Sequence, residues 1–568
     1  MEYQEKKSFI LLYTREVIPA EYPDGLARSI HMAYSRDGIH FEALHQNYGI
    51  LFAEATICAD DTLSPKCVKN PFAYALPEGG YGIIAKRVNE DGSIEAESEN
   101  KVLFWKTEDF IEFQAFGMIQ CSADLPDFGQ DVLQLQGAVL PKGAIVGNVI
   151  EVRGSFFDRM VLHWSRIYNT EVCVPRSVRA ASEEELAKVW ATAVYSDGST
   201  ALKQVKWEIA GIDFQTEGIH EISGTVQNVQ YEFPLAKGYG DPVILPWEGK
   251  YYFIATNDNM DDIGLYVRVS EDVEGLFAEG VMEYLILGRD NEGKFWQTFW
   301  APEFHVIGGE LYILFAVSDT NWGPQCHLMK LKKNGDILNP ADWSCPVRIR
   351  RADGSWLTED GITLDMTYLK ASMRSYVIWS YRRHPMGIGD TGSMLYIATV
   401  DEEDPSRLTS EPVLLSRPLF GWENVNGTIN NEGPYTFVKE DIVYLTYSGG
   451  AANSYTYVLG LLTAKTEDNL LNPASWKKSN VPVLSFYSVE GEYGPGHNSF
   501  FIDNQGNLMI AYHAETTLES TLRCDGIRRV HFDIHGQPVF DMSDSRDLCP
   551  DLKKVKIRLI TGRMKEDK

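Results

Sequence analysis

Five stretches of the chain share one pattern of polar and apolar positions. Each opens on a polar residue, continues as a short apolar run, turns, and returns as a second run rich in Tyr, Ile and Leu. They are DPVILPWEGKYYFIATN from Asp241, EFHVIGGELYILFAV from Glu303, DMTYLKASMRSYVIWSY from Asp365, EGPYTFVKEDIVYLTYS from Glu432 and HNSFFIDNQGNLMIAYH from His497. The alternation has period two and the runs are β-branched and aromatic, so they predict strands rather than helices. The turns carry Glu-Gly, Gly-Gly, Lys-Glu-Asp and Asn-Gln-Gly, the chemistry of hairpins. Lead residues follow one another at spacings of 62, 62, 67 and 65 residues. That period suits a blade of four short strands, and five blades fill 236–565, which predicts a five-bladed β-propeller. The five lead residues are expected at equivalent strand starts around one axis. Carboxylates are rarely buried without a partner or a task, so this ring is the place to look for chemistry.

Upstream, 187–226 shows short alternating strands around a Ser-Asp-Gly and a Thr-Glu-Gly turn. A small β-sandwich over 166–230 is expected, resembling bacterial immunoglobulin-like modules and carrying no chemistry. Residues 1–165 are also β-rich. HMAYSRDGIHFEAL and NKVLFWKTEDFIEF look like outer blade hairpins, so this region is expected to be an accessory domain, either propeller-like blades or a sandwich. The fold class is therefore all-β throughout.

Composition narrows the partners. A formal charge of −28 disfavours nucleic acid and anionic membranes and points to a neutral substrate. Aromatic residues make up 12%, which suits sugar rings whose C–H faces stack on aromatic ones, although β-rich chains favour aromatics anyway. The eight cysteines show no C-x-x-C pair or zinc spacing and are expected to be mostly reduced core residues. Near the N-terminus the apolar run Phe9 to Leu12 is too short for a secretory segment, and no stretch approaches a membrane span. The expectation is a cytoplasmic protein, whose substrates would be small imported molecules.

The lead residues sit in YGDPVILPWEGKYYFI, WAPEFH, LDMTYL, NEGPY and GPGHNSFF, in that order. Together these resemble glycoside hydrolase family 43 over roughly 235–565. The resemblance implies a propeller enzyme that removes arabinose, xylose or sometimes galactose with inversion. It makes Asp241 the general base, Glu432 the general acid, and Asp365 the residue that tunes the acid and orients the substrate. It puts Trp300 and Glu303 in the sugar pocket, and His497 near the axis beside a calcium ion or water cluster. No cofactor is otherwise required. A last-blade arginine should contact substrate; Arg523, Arg528 and Arg529 are candidates, with Arg528 taken for that role.

The chemistry fits these residue types. Inversion needs one carboxyl to protonate the leaving oxygen and a second to deprotonate water on the opposite face, about 6.5–9.5 Å away. Glu432 must hold its proton near neutrality, which burial and a neighbouring Asp365 favour. An exo-acting α-L-arabinofuranosidase is the leading expectation, with a β-xylosidase or exo-β-galactosidase as alternatives. A non-catalytic glycan-binding propeller and a retaining fructan hydrolase are the readings of other kinds.

Overall fold

The computed structural model describes residues 7–121, 135, 137–290 and 292–562; the ends of the expected first and last domains, and 122–134, lie outside them. The described chain is built almost wholly from antiparallel β-sheets, with short helical turns between. It divides into two compact units.

The first unit holds Met1–Ser165, Phe233–Asp503 and Ala511–Gly526. Within it, four consecutive stretches each form a four-stranded sheet in chain order, starting from Tyr239–Trp247, Gln297–Ile307, Gly361–Ala371 and Asn431–Lys439. A fifth sheet starts from Tyr493–Ile502, and its outermost strand is Ala236–Lys237, supplied from ahead of the first sheet. The starting strand of each sheet packs on that of the next, and the fifth packs on the first, so the five strands close a ring. The turns follow the expected chemistry: Glu248-Gly249 and Gly308-Gly309 take positive φ at both positions, as tight hairpins that match strand twist require.

One feature of the ring differs from the expectation of five equivalent lead residues. Each of the first four starting strands carries a bulge against its hairpin partner, between Gly240 and Val243, Trp300 and Glu303, Leu364 and Thr367, and Glu432 and Tyr435. The first extra residue has left-handed backbone: Asp241 (φ 59°), Ala301 (43°), Asp365 (54°) and Gly433 (56°), with His497 (41°) on the fifth strand. Asp241, Asp365 and His497 therefore share a position, whereas Glu432 stands one residue before it and Glu303 two residues after. Bulges re-aim a side chain out of the period-two alternation. A non-glycine residue in this conformation costs roughly 1–2 kcal/mol, which the packed ring must offset.

Residues 7–121 and 137–165 fold into two more four-stranded sheets, Ala144–Val152/Ser8–Arg15/His31–Ser35/Glu42–Ala43 and Lys66–Ala75/Tyr81–Asn89/Lys101–Thr107/Gln114–Gln120. The run Phe9 to Leu12 lies in the second strand of that first group. Far from standing apart, the region shares a hydrophobic core with the ring: Tyr22, Leu26, Tyr48 and Phe52 pack with Leu369, Ile378, Trp422 and Tyr447. Around 57–62 a hairpin offers the Asp61 carbonyl to Arg417 (2.6 Å) and the Asp60 carbonyl to Arg383 (2.9 Å).

The second unit is Arg166–Glu232 with Asn504–Ile510 and Ile527–Lys568. It has a three-stranded sheet (Asn169–Cys173, Ala191–Tyr195, Thr200–Lys203) and a four-stranded one. In the latter, Lys554–Thr561 lies between Ser177–Arg179 and Gly218–Val226, and its Val555, Ile557 and Leu559 complete a core with Ala191, Trp207 and Ile222. The expected division into 166–230 and 236–565 thus separates strands that pair: residues 166–230 lack one of their central strands without Lys554–Thr561.

All eight cysteines are free, but only Cys67, Cys326 and Cys524 are buried, so the expectation of a mainly core role does not hold. No helix among the described residues is long and apolar enough to cross a membrane.

Candidate active site

The site grows from the bulges. At Asp241 the extra residue turns a carboxylate, 6% exposed, into a nest of donors from the first and fifth sheets. Oδ1 accepts from His497 Nδ1 (3.0 Å) and Arg523 (3.1 Å), and Oδ2 accepts from the Thr256 hydroxyl (2.5 Å). His513 stands beside it, but its Nδ1 accepts from the Asp241 amide (3.1 Å) and its Nε2 faces the Ala452 carbonyl (3.0 Å). Those partners assign the neutral tautomer, so the 3.5 Å approach of His513 to Oδ1 is no ion pair. Burial depresses the His513 pKa to about 3 and Arg523 adds to it, in keeping with that form. Burial alone would raise the pKa of Asp241. The charges of His497 and Arg523 outweigh it and hold the carboxyl well below its usual range.

Glu432 has the opposite surroundings. Its Oε2 accepts from Ser393 (3.2 Å) and its Oε1 from Tyr457 (3.2 Å), both neutral donors. Burial first, then the charge of Asp365, push its pKa up to about 7. Asp365 is itself buried and accepts from Ser380 (3.0 Å) and from the Gly433 amide (3.0 Å), which ties it to the residue next to Glu432. Burial and the Asp241 charge raise the Asp365 pKa, with His497 opposing. His497 is pushed up to about 9, because Asp241, Asp365 and Glu303 outweigh the burial that disfavours its charge.

Two glycines are required by this crowding. A Cβ on Gly240 would lie 2.1 Å from the Arg523 guanidinium, and one on Gly433, at φ 56°, would lie 2.8 Å from the His497 ring.

The other expected residues are placed differently. Trp300 donates its indole N–H to Asp262 Oδ2 (2.8 Å), and Asp262 in turn feels Arg523 and Asp241. Glu303 is 2% exposed and bound to His305 (2.6 Å), and its charge acts on His497. Arg528, taken for the substrate contact, is a buried residue of the second unit, close enough to Arg546 to act on its charge. Arg529 is held by Asp547, together with Lys203 and Tyr195. The arginine at the site is Arg523, which also pairs with Asp258 (3.0 Å). Its signal was legible only as one arginine among three, because which of them faces the ring depends on the register of the fifth sheet. His513, Thr256, Ser393 and Tyr457 went unnoticed in the sequence; they are ordinary strand residues until paired.

A calcium site does not fit the residues present. No group of three or more His, Cys, Asp or Glu that could hold a metal occurs among the described residues. His497 Nε2 is buried without a hydrogen-bond partner, on a ring whose pKa favours the protonated form, which is a donor and not a metal ligand.

Residues 232–538, more than half of the chain, match the model of glycosyl hydrolases family 43. The chain belongs to this family. It is a glycoside hydrolase, and its family domain begins before Asp241 and ends after Arg529. An extracellular exo-alpha-(1->5)-L-arabinofuranosidase of Streptomyces chartreusis is 29% identical over 345 residues, 60% of this chain and 97% of that protein. A namesake from Streptomyces avermitilis is 30% identical, over 58% of this chain and 67% of its own length. Among solved structures, an alpha-L-arabinofuranosidase from Lactobacillus brevis is 27% identical with a TM-score of 0.47, covering 55% of this chain and 97% of that one. Two of these family 43 relatives are named extracellular, which overturns the cytoplasmic expectation and the imported substrates that came with it. The start of a chain is a poor guide to location, because a matured secreted protein and a cytosolic one can begin alike.

Proposed function

We propose that this family 43 chain is an inverting, exo-acting α-L-arabinofuranosidase whose closed ring of five sheets is a five-bladed β-propeller. The carrying observation is the opposed proton affinity of two buried carboxyls: Asp241 held ionised by His497 and Arg523, Glu432 held protonated by burial and Asp365. Such a pair assigns base and acid. Glu432 gives its proton to the glycosidic oxygen as the bond to C1 breaks. A water attacks C1 from the other face and passes its proton to Asp241, so an α-linked arabinofuranoside yields β-configured arabinose first. Asp365 and His497 position and polarise these groups, Arg523 fixes Asp241, and Trp300 with Asp262 lies on the Asp241 side. The sugar follows from the relatives named exo-α-(1→5)-L-arabinofuranosidases, and a neutral substrate suits the acidic chain. The second unit, with two sheets over one core, is read as the immunoglobulin-like sandwich completed by Lys554–Thr561.

The test is hydrolysis of 4-nitrophenyl α-L-arabinofuranoside alongside the β-D-xylopyranoside and β-D-galactopyranoside, with the first product followed by proton NMR. Glu432→Gln and Asp241→Asn should each lose about 10²–10⁴ in kcat on arabino-oligosaccharides. An activated leaving group should rescue Glu432→Gln and not Asp241→Asn. The reverse pattern exchanges the two roles, an α-configured first product rejects inversion, and faster release of xylose or galactose rejects the sugar.

A further inference from the structure

Between the outer strand Val347–Arg348 and the strand Gly361–Ala371 the chain makes a loop, closed by a bridge between Arg350 and Trp356. This loop forms one wall of a cleft of about 390 Å³, within the size of small-ligand sites. Trp379, Tyr381 and Tyr396 form the other. None of these residues belongs to the Asp241–Glu432 cluster.

The walls are built of two kinds of surface. The rings are held in place by one another: Tyr396 stacks on Trp379 (centroids 6.0 Å apart, 24°) and meets the edge of Tyr381 (5.7 Å). Trp356 is clamped by the Arg348 and Arg350 guanidiniums at 4.4 and 4.5 Å. Beside the rings are hydrogen-bonding groups. Asp360 Oδ1 accepts from Tyr381 (2.9 Å) and Thr358 (3.0 Å), which fixes the carboxylate at the rim, next to exposed Glu359. Both signs of charge line the cleft: Arg351 stands with Glu359 and Asp360, and Arg351 lies 3.7 Å from Glu411. A phosphate or a polyacid would meet the two rim carboxylates, and a polycation would meet Arg351. A lining of aromatic side chains flanked by acceptors suits an uncharged polyol ring, with C–H groups on one side and a hydroxyl edge.

We propose that this cleft is a second glycan-binding site, which holds a neutral polysaccharide chain apart from the catalytic carboxyls. Asp360 at its rim precedes Asp365 by five residues, and only the first residues of the strand Gly361–Ala371 lie between them, so at most roughly 16 Å of chain separates Asp360 from the cluster. A chain held there raises the local concentration of its own ends at the catalytic site. The proposal rests on the glycosidase assignment and not on which pentose is released.

The experiment uses the full chain carrying Glu432→Gln, so that nothing is consumed, in native gels containing linear arabinan, arabinoxylan or galactan. Retardation by at least one polymer is expected. Adding Trp356→Ala or Asp360→Asn should weaken that retardation roughly tenfold. In the otherwise intact enzyme the same substitutions should leave kcat/KM on the aryl glycoside within about twofold, since the cleft is outside the catalytic cluster. Asp360→Asn conserves shape and carries the test if Trp356→Ala unfolds. Three results overturn the site: no retardation by any of the polymers, retardation unchanged in both variants, or equal losses on aryl glycoside and polymer. Failure to release arabinose would instead reject the sugar proposed above, and leaves the gel result to judge the cleft.

Discussion

Asp241 and Glu432 are both buried carboxyls near the heads of ring strands, and burial pushes both toward the protonated form. Their neighbours decide the outcome. Around Asp241 stand a cationic imidazole and a guanidinium, delivered by the fifth sheet; around Glu432 stand two hydroxyls and, through Gly433, another carboxylate. The same side-chain chemistry is driven toward an ionised form at one residue and a protonated form at the other by which charges the ring sets beside each. The pKa of either residue is thus a property of its surroundings, and removing a neighbour should move the two in directions that can be named beforehand.

The largest expected effect is at Arg523. Arg523→Ala leaves Asp241 and Asp258 without their shared cation, a buried loss worth about 3–5 kcal/mol before relaxation. Activity on arabino-oligosaccharides should fall about a hundredfold, and the acid limb of the kcat/KM profile should move to higher pH as Asp241 gains proton affinity. The same substitution at Arg529 should leave that limb in place, because Arg529 is held by Asp547. A limb unmoved by Arg523→Ala would show that His497 alone sets the ionisation of the base.

That contrast marks the limit of what the residues alone reveal. The five repeats, their hairpin turns and the words around Asp241, Asp365, Glu432 and His497 were legible because period-two alternation and Gly-containing turns are local. The bulge was not. It puts Ala301 and Gly433 where Glu303 and Glu432 were expected, and it exists only in the pairing of one strand with the next. Arg523 was hidden among three arginines for the same reason, and the strand Lys554–Thr561 was hidden because its partners lie more than 300 residues earlier. Nor did composition reveal that Tyr22 and Phe52 share a core with Trp422.

On the acid side, Asp365→Asn removes the like charge that adds to burial at Glu432. The pKa of Glu432 should fall from about 7, though not to 4.5, since burial remains. The alkaline limb of kcat/KM should shift to lower pH, with roughly a tenfold loss at pH 7 once substrate orientation is included. Stability should register the same group. A carboxyl whose folded pKa lies above its unfolded one binds more protons when folded. Its contribution is full below pH 4.5 and is lost as pH rises through about 7. Melting midpoints measured across that window should fall more steeply with pH for the natural chain than for Glu432→Gln. Parallel curves would show that Glu432 does not carry the proton.

The smallest effect, and the sharpest on sign, is expected at Tyr457. Its hydroxyl donates to Glu432 Oε1 (3.2 Å), and its ring lies flat on His513 (centroids 5.4 Å apart, 9°), so one side chain touches the acid and a neighbour of the base. Donation to a carboxylate stabilises the ionised form and lowers its pKa. Tyr457→Phe keeps the ring on His513 and removes only that donor. The alkaline limb should therefore shift to higher pH, opposite to Asp365→Asn, while the acid limb set by Asp241 stays fixed and kcat falls about threefold through looser placement of the acid. Profiles of both variants on one arabino-oligosaccharide decide the matter. Limbs that move in the same direction would mean that Glu432 does not respond to its own donors and neighbours separately, and the contrast between the two carboxyls would have to be sought in burial alone.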